Sequence, residues 1–291
     1  MKAKTPSIDF SIIIPALNEE KYLPLLLKDL SEQSFPRNNF EVIVIDGNSK
    51  DQTIKVASGF SSRIQLTVIS SKTANVSIQR NLGVKKSKAK WVIFMDADNR
   101  IPPAFLDGVK YQLAANHKID CFTCWIDESG YKTADKPLIT MYNLLIEVLS
   151  KVKPGALGAL IGAKRTLAIK YPFNDQLAIS EDYEFIGTLV KSKYYFVVFR
   201  FPRYHFSLRR FEREGVLTLA RVYTKAQLYV LMGRQIKNGE INYPMGGDVQ
   251  ITKSPWHQTS LKQLRSNITD LLNDHKNTAQ KILNWLSIEE N

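Results

Sequence analysis

Residues 91–98 read WVIFMDAD, five residues suited to a buried strand followed by two aspartates one residue apart. Two like charges this close resist desolvation unless something positive stands near them, and a divalent metal is the usual solution. Three earlier runs share the character of this strand: FSIIIPA (10–16), EVIVIDG (41–47) and LTVISS (66–71) are β-rich and lack polar alternation. That pattern is expected of strands buried on both faces. Between the runs lie EEKYLPLLLKDLSEQS, DQTIKVASGF and NVSIQRNLGVKKSK, each helical in composition. The alternation is a βαβ series, which predicts an α/β fold with a mostly parallel central sheet flanked by helices.

Beyond the aspartates the rhythm loosens. PPAFLDGVKYQLAAN reads as a helix opened by proline, IDCFTCWI as a strand and PLITMYNLLIEVLS as an amphipathic helix. SEDYEFIGTLVKS follows as a helix with Ser180 as its N-cap and acids in its first turn, and YYFVVFR as a strand. A long helix is expected from about Glu214 to Lys237, then a turn-rich linker and a C-terminal helical appendage over 238–291. The first domain thus runs over 1–237, with a nucleotide-binding half (1–100) and an acceptor half (101–237).

The chain has 291 residues, a formal charge of +12, 44% hydrophobic and 23% charged residues, as in an ordinary globular protein with a sizeable core. The basic excess is local: residues 191–225 hold nine Lys and Arg against two Glu. It suggests an acidic partner, but no RNA or DNA motif is present, which argues against nucleic acid. Cys121 and Cys124 form a lone C-x-x-C, half of a zinc site at most, and read as buried thiols of a reducing compartment. The N-terminus MKAKTPSIDF is too polar for a signal peptide, and no apolar stretch reaches the roughly 20 residues that span a bilayer. The expectation is a cytoplasmic protein, with apolar stretches near the basic segment suited to peripheral contact at the inner face of a membrane.

In open parallel sheets, ligands bind outside the carboxyl ends of the strands. The polar residues fall there: Asn18, Glu19 and Glu20 after the first strand, Asp46, Asn48, Ser49 and Asp51 after the second, Asp96 and Asp98 after the fourth. Each has a plainer reading. Asp51 caps a helix, Asn-Glu-Glu opens one, and D-x-D makes a turn. Their convergence favours a metal-assisted phosphate site, because neither G-x-G-x-x-G nor a P-loop occurs; GALGALIGAKR lacks the required Lys-Ser/Thr.

SIIIPALNEE, VIVIDGNSKDQT, QRNLG, FMDAD and SEDYEF, in that order, resemble the family 2 glycosyltransferases of GT-A fold, over residues 10 to about 215. The resemblance implies transfer of a sugar from a nucleotide-diphosphate sugar to a glycan, lipid-linked or other hydroxyl acceptor, in cell-surface glycan or glycolipid synthesis. It implies that Pro15, Ala16, Asn18 and Glu19 line the nucleotide pocket, with Asp46 against the base and Arg80 and Asn81 near the donor. Asp96 and Asp98 would be the DxD, Asp98 the direct ligand of Mg²⁺ or Mn²⁺. The second strand ends in Asp-Gly-Asn-Ser where the commoner family form has Asp-Asp-Gly-Ser, so Asn48 stands near a contact that an acid usually makes. The multiple membrane helices of polymerising members are missing, which argues against processive extrusion.

Asp182 is the expected general base of an inverting displacement by the same resemblance, although a helix start alone also explains its acid. His205 is either a late metal ligand or a hydrogen-bonded structural histidine. Arg209 and Arg210 either grip phosphate or begin a solvated basic helix. Two rivals remain: a sugar nucleotidyltransferase, which PALNEE disfavours because its acids would repel a triphosphate, and a catalytically inactive nucleotide-binding relative.

Overall fold

The computed structural model describes residues 8–131, 136–152, 159–177 and 179–209. Two compact units divide the chain, and every described helix and strand belongs to the first. The long helix expected over 214–237, the boundary after 237, the appendage over 238–291 and Arg210 lie outside the described residues.

The strands are β1 (Phe10–Ala16), β2 (Phe40–Asp46), β3 (Leu66–Ser70), β4 (Trp91–Met95), β5 (Cys121–Ile126), β6 (Leu160–Lys164) and β7 (Phe196–Tyr204). They form one sheet in the order β3-β2-β1-β4-β6-β5-β7. The helices are α1 (Leu23–Ser31), α2 (Thr53–Ser58), α3 (Val76–Lys86), α4 (Phe105–Ala115), α5 (Lys136–Val152), α6 (Arg165–Lys170) and α7 (Glu181–Lys191). β1, β2 and β4 are wholly buried, as their unbroken apolar runs require. β3 departs from that expectation: it is the sheet's edge strand, and Thr67 and Ser70 face solvent.

The sequence reading passed over β6 and α6. β6 runs antiparallel between β4 and β5, so the parallel sheet is interrupted there. Its five residues, LIGAK, are too short to carry a period, and the stretch drew notice only for its glycines. α1 shows why the clear elements were legible: Leu23, Leu26, Leu27 and Leu30 recur at helical spacing and are all buried. It starts after a turn at residues 20–22 rather than at Asn-Glu-Glu, and its first turn holds no acid. α3 is pressed onto β1 through Gly83, where a Cβ would stand 2.4 Å from Cγ2 of Ile13.

Cys121 and Cys124 are buried free thiols on β5, and loss of solvent pushes Cys121 up to about 12 and Cys124 higher still. Among the described residues, no helix is long and apolar enough to cross a membrane.

Candidate active site

The sheet order puts β1 between β2 and β4, so the loops that leave their carboxyl ends are neighbours. The first two loops are stitched together by short polar groups. Asn18 donates its backbone N–H to Ser49 Oγ (2.8 Å), and its Oδ1 accepts from Lys50 N (2.8 Å). Glu19 N donates to Thr53 Oγ1 (2.8 Å), Glu20 N to Asp51 Oδ2 (3.0 Å), and Gln52 N to Glu20 Oε2 (2.8 Å). Asn18 (φ 54°) and Asn48 (φ 69°) are left-handed, a conformation that asparagine tolerates better than most residues. Pro15 and Ala16 end the buried β1, and Ala16 pairs in register with Asp46.

Asp46 is 1% exposed. Its Oδ2 accepts from the backbone N–H of Asn48 (3.0 Å) and Ser49 (3.1 Å), and its Oδ1 is a buried acceptor without a hydrogen-bond partner in the protein. A buried carboxylate oxygen left in that state is costly, which marks it as a place where a ligand donor completes the set. Gln79 braces both strands from behind, its amide donating to Ala16 O (3.0 Å) and Ile45 O (2.7 Å).

Asp51 does not occupy the N-cap of α2, which is Gln52, but its Oδ1 accepts from Thr53 N (2.9 Å) and from the Thr53 hydroxyl. Burial works to raise the Asp51 pKa; the Thr53 hydroxyl and the N–H groups of Glu20 and Thr53 outweigh it and hold the carboxyl below its usual range. A depressed folded pKa means stability that is present above the unfolded value and lost as pH falls through the folded one. Thermal melts should therefore show Asp51→Ala less stable than the parent at pH 6, with the gap closing between pH 4 and pH 2.

The residue after Gln79 serves the other half of the crevice. Arg80 is 2% exposed, and its Nη1 lies 2.9 Å from Glu181 Oε1 and its Nη2 3.4 Å from Asp96 Oδ1. The guanidinium carbon sits 5.2 Å from the centre of the Phe173 ring. Burial opposes its charge, but Glu181, Asp96 and Asp182 together outweigh that and raise the Arg80 pKa. The positive partner that the sequence demanded beside Asp96 is thus a side chain of the protein. Burial pushes the Asp96 carboxyl up to about 6, with Arg80 pulling it down and Asp98 and Glu181 pushing it further up. Glu181 and Asp96 thus bond to one guanidinium that also feels the charge of Asp182, while Asp98 acts on Asp96.

Asn81, expected near the donor, spends its amide on the chain itself. Its amide donates to Phe173 O (2.8 Å) and accepts from Phe173 N (2.9 Å), so it tethers the segment that carries the ring. Ser180 occupies the N-cap position of α7, but with φ 67° and no side-chain cap bond, so it does not cap as expected. A left-handed serine is strained by about 1 kcal/mol or more, and Glu181 and Asp182 follow it directly at the start of α7. Asp182 Oδ1 accepts from Tyr183 N (2.7 Å).

The loop after the DxD is anchored twice. Arg100 grips Asp29 through two bonds (2.6 and 2.7 Å), and its backbone exchanges hydrogen bonds with His205 (3.0 and 2.8 Å). His205 Nε2 lies 3.3 Å from Asp127 Oδ2. Among the described residues, no three His, Cys, Asp or Glu side chains gather at metal-ligand spacing. Arg209 is half-buried, and it is the last described residue.

Sequence reasoning missed Gln79, Asp29, Asp127 and the role of Glu181. Gln79 had a usable signal, since it opens the QRN triplet; the others pair with residues 71 to 101 positions away in the chain, or across strands, and carry no local signature.

Residues 11–171 match the family model described as Glycosyl transferase family 2, more than half of the chain. The poly(ribitol-phosphate) beta-N-acetylglucosaminyltransferase TarS of Staphylococcus aureus is 35% identical over 94 residues, 32% of this chain and 16% of the relative. An uncharacterized glycosyltransferase of Haemophilus influenzae is 28% identical over 187 residues, 62% of each chain. The matched part therefore spans less than two thirds of these curated relatives. Among solved structures, S. aureus TarS 1-349 with UDP-GlcNAc superposes with a TM-score of 0.55 at 24% identity, covering 68% of this chain and 58% of that one. The mannosyltransferase PcManGT from Pyrobaculum calidifontis, in complex with GDP-Man and Mn²⁺, superposes with a TM-score of 0.65 at 18% identity, covering 82% and 69%. At these identities the likeness speaks for the architecture, a GT-A fold. With the family model covering residues 11–171, more than half of the chain, the chain belongs to glycosyl transferase family 2.

Proposed function

We propose that this protein transfers a glycosyl group from a nucleoside diphosphate sugar to an acceptor hydroxyl by a single, inverting displacement. The observation that carries the reading is the buried Arg80 bonded to Glu181 and Asp96, with Asp98 two residues beyond Asp96 and Asp182 next to Glu181, at the end of the sheet where the loops of β1 and β2 also arrive. Acidic groups so costly to hold together have a use when a cation and a proton must be managed side by side.

The donor set suits Mg²⁺ or Mn²⁺. Asp98 supplies a half-buried hard oxygen, and such ions complete their shells with water and substrate phosphates rather than an all-protein cage. Asp98 would hold the ion, which when bound offsets charge developing on the leaving diphosphate. His205 is not used as a ligand in this reading, because its Nε2 faces Asp127. Asp46 Oδ1 accepts the ring N–H of a uracil or guanine base, with Pro15, Ala16, Asn18, Glu19 and Asn48 forming the surrounding wall. The solved neighbours, complexes with UDP-GlcNAc and with GDP-Man and Mn²⁺, support either base. Asp182 takes the proton of the acceptor hydroxyl as it attacks.

The nine basic residues against two acids over 191–225 favour an anionic acceptor. TarS is named for poly(ribitol-phosphate), which supports a phosphate-bearing glycan of the cell envelope, modified at the cytoplasmic face. Calorimetric titration of UDP and GDP, with Mn²⁺ and with EDTA, tests the donor site. One nucleotide should bind with Mn²⁺ present, and EDTA or Asp98→Ala should each weaken it by about tenfold or more. Binding that ignores both, or no binding of either nucleotide, would overturn the proposal.

A further inference from the structure

We infer that Arg80 and Glu181 are positioning residues that set how much charge the DxD pair offers a cation: the guanidinium, anchored by Glu181, compensates Asp96 and leaves Asp98 as the carboxylate a divalent ion meets. The inference rests on the donor-site reading above and assigns a task to a glutamate that the sequence presents only as a helix-opening acid.

A cation as deeply buried as Arg80 must have compensating charge within hydrogen-bond reach. Its shorter bond, 2.9 Å, goes to Glu181, whose side chain is 12% exposed; the longer, 3.4 Å, goes to Asp96, whose side chain is 37% exposed. Glu181 is therefore the fixed end of the bridge, and Asp96 the end open to adjustment. The ring of Phe173 lies 5.2 Å from the guanidinium, and Asn81 clamps the Phe173 backbone on both its N–H and its carbonyl, so the bridge stands on a held platform. The other end is held too, since Asp96 N donates to Ala159 O (3.1 Å) at the entry to β6.

Without Arg80, the carboxylate of Asp96, two residues from Asp98, would add its uncompensated charge to the pull on a divalent ion. With Arg80 in place, the charge of Asp96 is offset. The ion is then held firmly only when a diphosphate adds oxygens of its own, which keeps the crevice from filling with metal before the donor arrives.

The test uses Mn²⁺ alone, without nucleotide, titrated into the full chain and followed by the paramagnetic resonance signal of the free ion. Arg80→Met should bind Mn²⁺ roughly tenfold or more tightly than the parent, because a positive charge 3.4 Å from Asp96 has been removed. It should melt at a lower temperature than the parent without Mn²⁺ and recover with it. Arg80→Lys returns the charge and should return the weak affinity. Glu181→Gln should bind Mn²⁺ roughly threefold more weakly than the parent, as the guanidinium turns its whole charge on Asp96. A merely structural Arg80 gives the opposite result for Arg80→Met, a damaged site with lower affinity. Affinity for Mn²⁺ that fails to rise in folded Arg80→Met overturns the inference. If that variant does not fold, folded Glu181→Gln with unchanged or tighter Mn²⁺ binding does the same. Because no nucleotide is present, this failure is separate from failure of the donor site, which the UDP and GDP titrations read.

Discussion

Asp182→Asn is expected to lower kcat by about 10²- to 10⁴-fold, the range that general-base removal costs, while nucleotide affinity stays within about twofold of the parent. The substitution keeps the shape of the side chain and the acceptor that receives Tyr183 N, so α7 should begin where it does now. Only the capacity to take a proton is lost. The competing account makes Asp182 one of three acids in the first turn, with Glu181 and Glu184, serving the helix dipole. That account predicts a change of about 0.3–1 kcal/mol in stability and no loss of turnover. The two separate cleanly once a donor has been identified by calorimetry: a rate that falls by less than about tenfold, with normal nucleotide binding, would move the base elsewhere. Asp182 lies beyond the stretch matched by the family model, which ends at residue 171, so this experiment carries weight of its own.

How much of this was legible depended on how far each cause reaches along the chain. FSIIIPA, FEVIVID and WVIFM announce buried strands within seven residues or fewer, and fold topology then carries their trailing polar residues to one edge. Asp46, Asp96 and Asp98 were therefore placed by local pattern plus one topological rule. The pairing of Arg80 with Glu181 spans 101 positions, and no local pattern tells a guanidinium destined for burial from one on a solvated helix face. Asn81 was expected near the donor by resemblance, and the bonds of its amide to the backbone of Phe173, 92 positions on, had no local signal. His205 is similar: the strand ahead of it was recognised, but Asp127, on the loop after β5, is what stands beside its Nε2. β6 failed for a different reason. Its glycine weakens any strand reading, and the feature that makes Gly162 fit is an aromatic ring on a neighbouring strand.

That ring makes Gly162→Ala the glycine-to-alanine change expected to cost most stability among the described glycines. A Cβ built at Gly162 would stand 2.1 Å from Cε1 and Cζ of Phe122, its register partner on β5. The ring has little room to retreat. It is fully buried, stacked on Phe199 at 4.8 Å and tilted against Trp91 at 6.0 Å. β6 cannot retreat either, because β4 pairs along its other side, with Ile93 opposite Gly162. Overpacking of this kind costs about 3 kcal/mol, at the upper end of its range, which for a domain of this size lowers Tm by roughly 6–12 °C. Phe122→Leu in the same chain should return part of that loss, since a smaller side chain vacates the space, whereas two independent lesions would add. The strain should also reach the chemistry. Ala159 O, just before β6, accepts from Asp96 N and from the Asn99 amide, so a displaced β6 shifts the DxD loop that both residues hold. Gly162→Ala protein that remains folded should therefore bind Mn²⁺ and nucleotide more weakly than the parent, with the double variant regaining affinity along with stability. A Tm lowered by less than about 2 °C would mean that Phe122 has another place to go, and that β6 does not hold the DxD loop as rigidly as these contacts require.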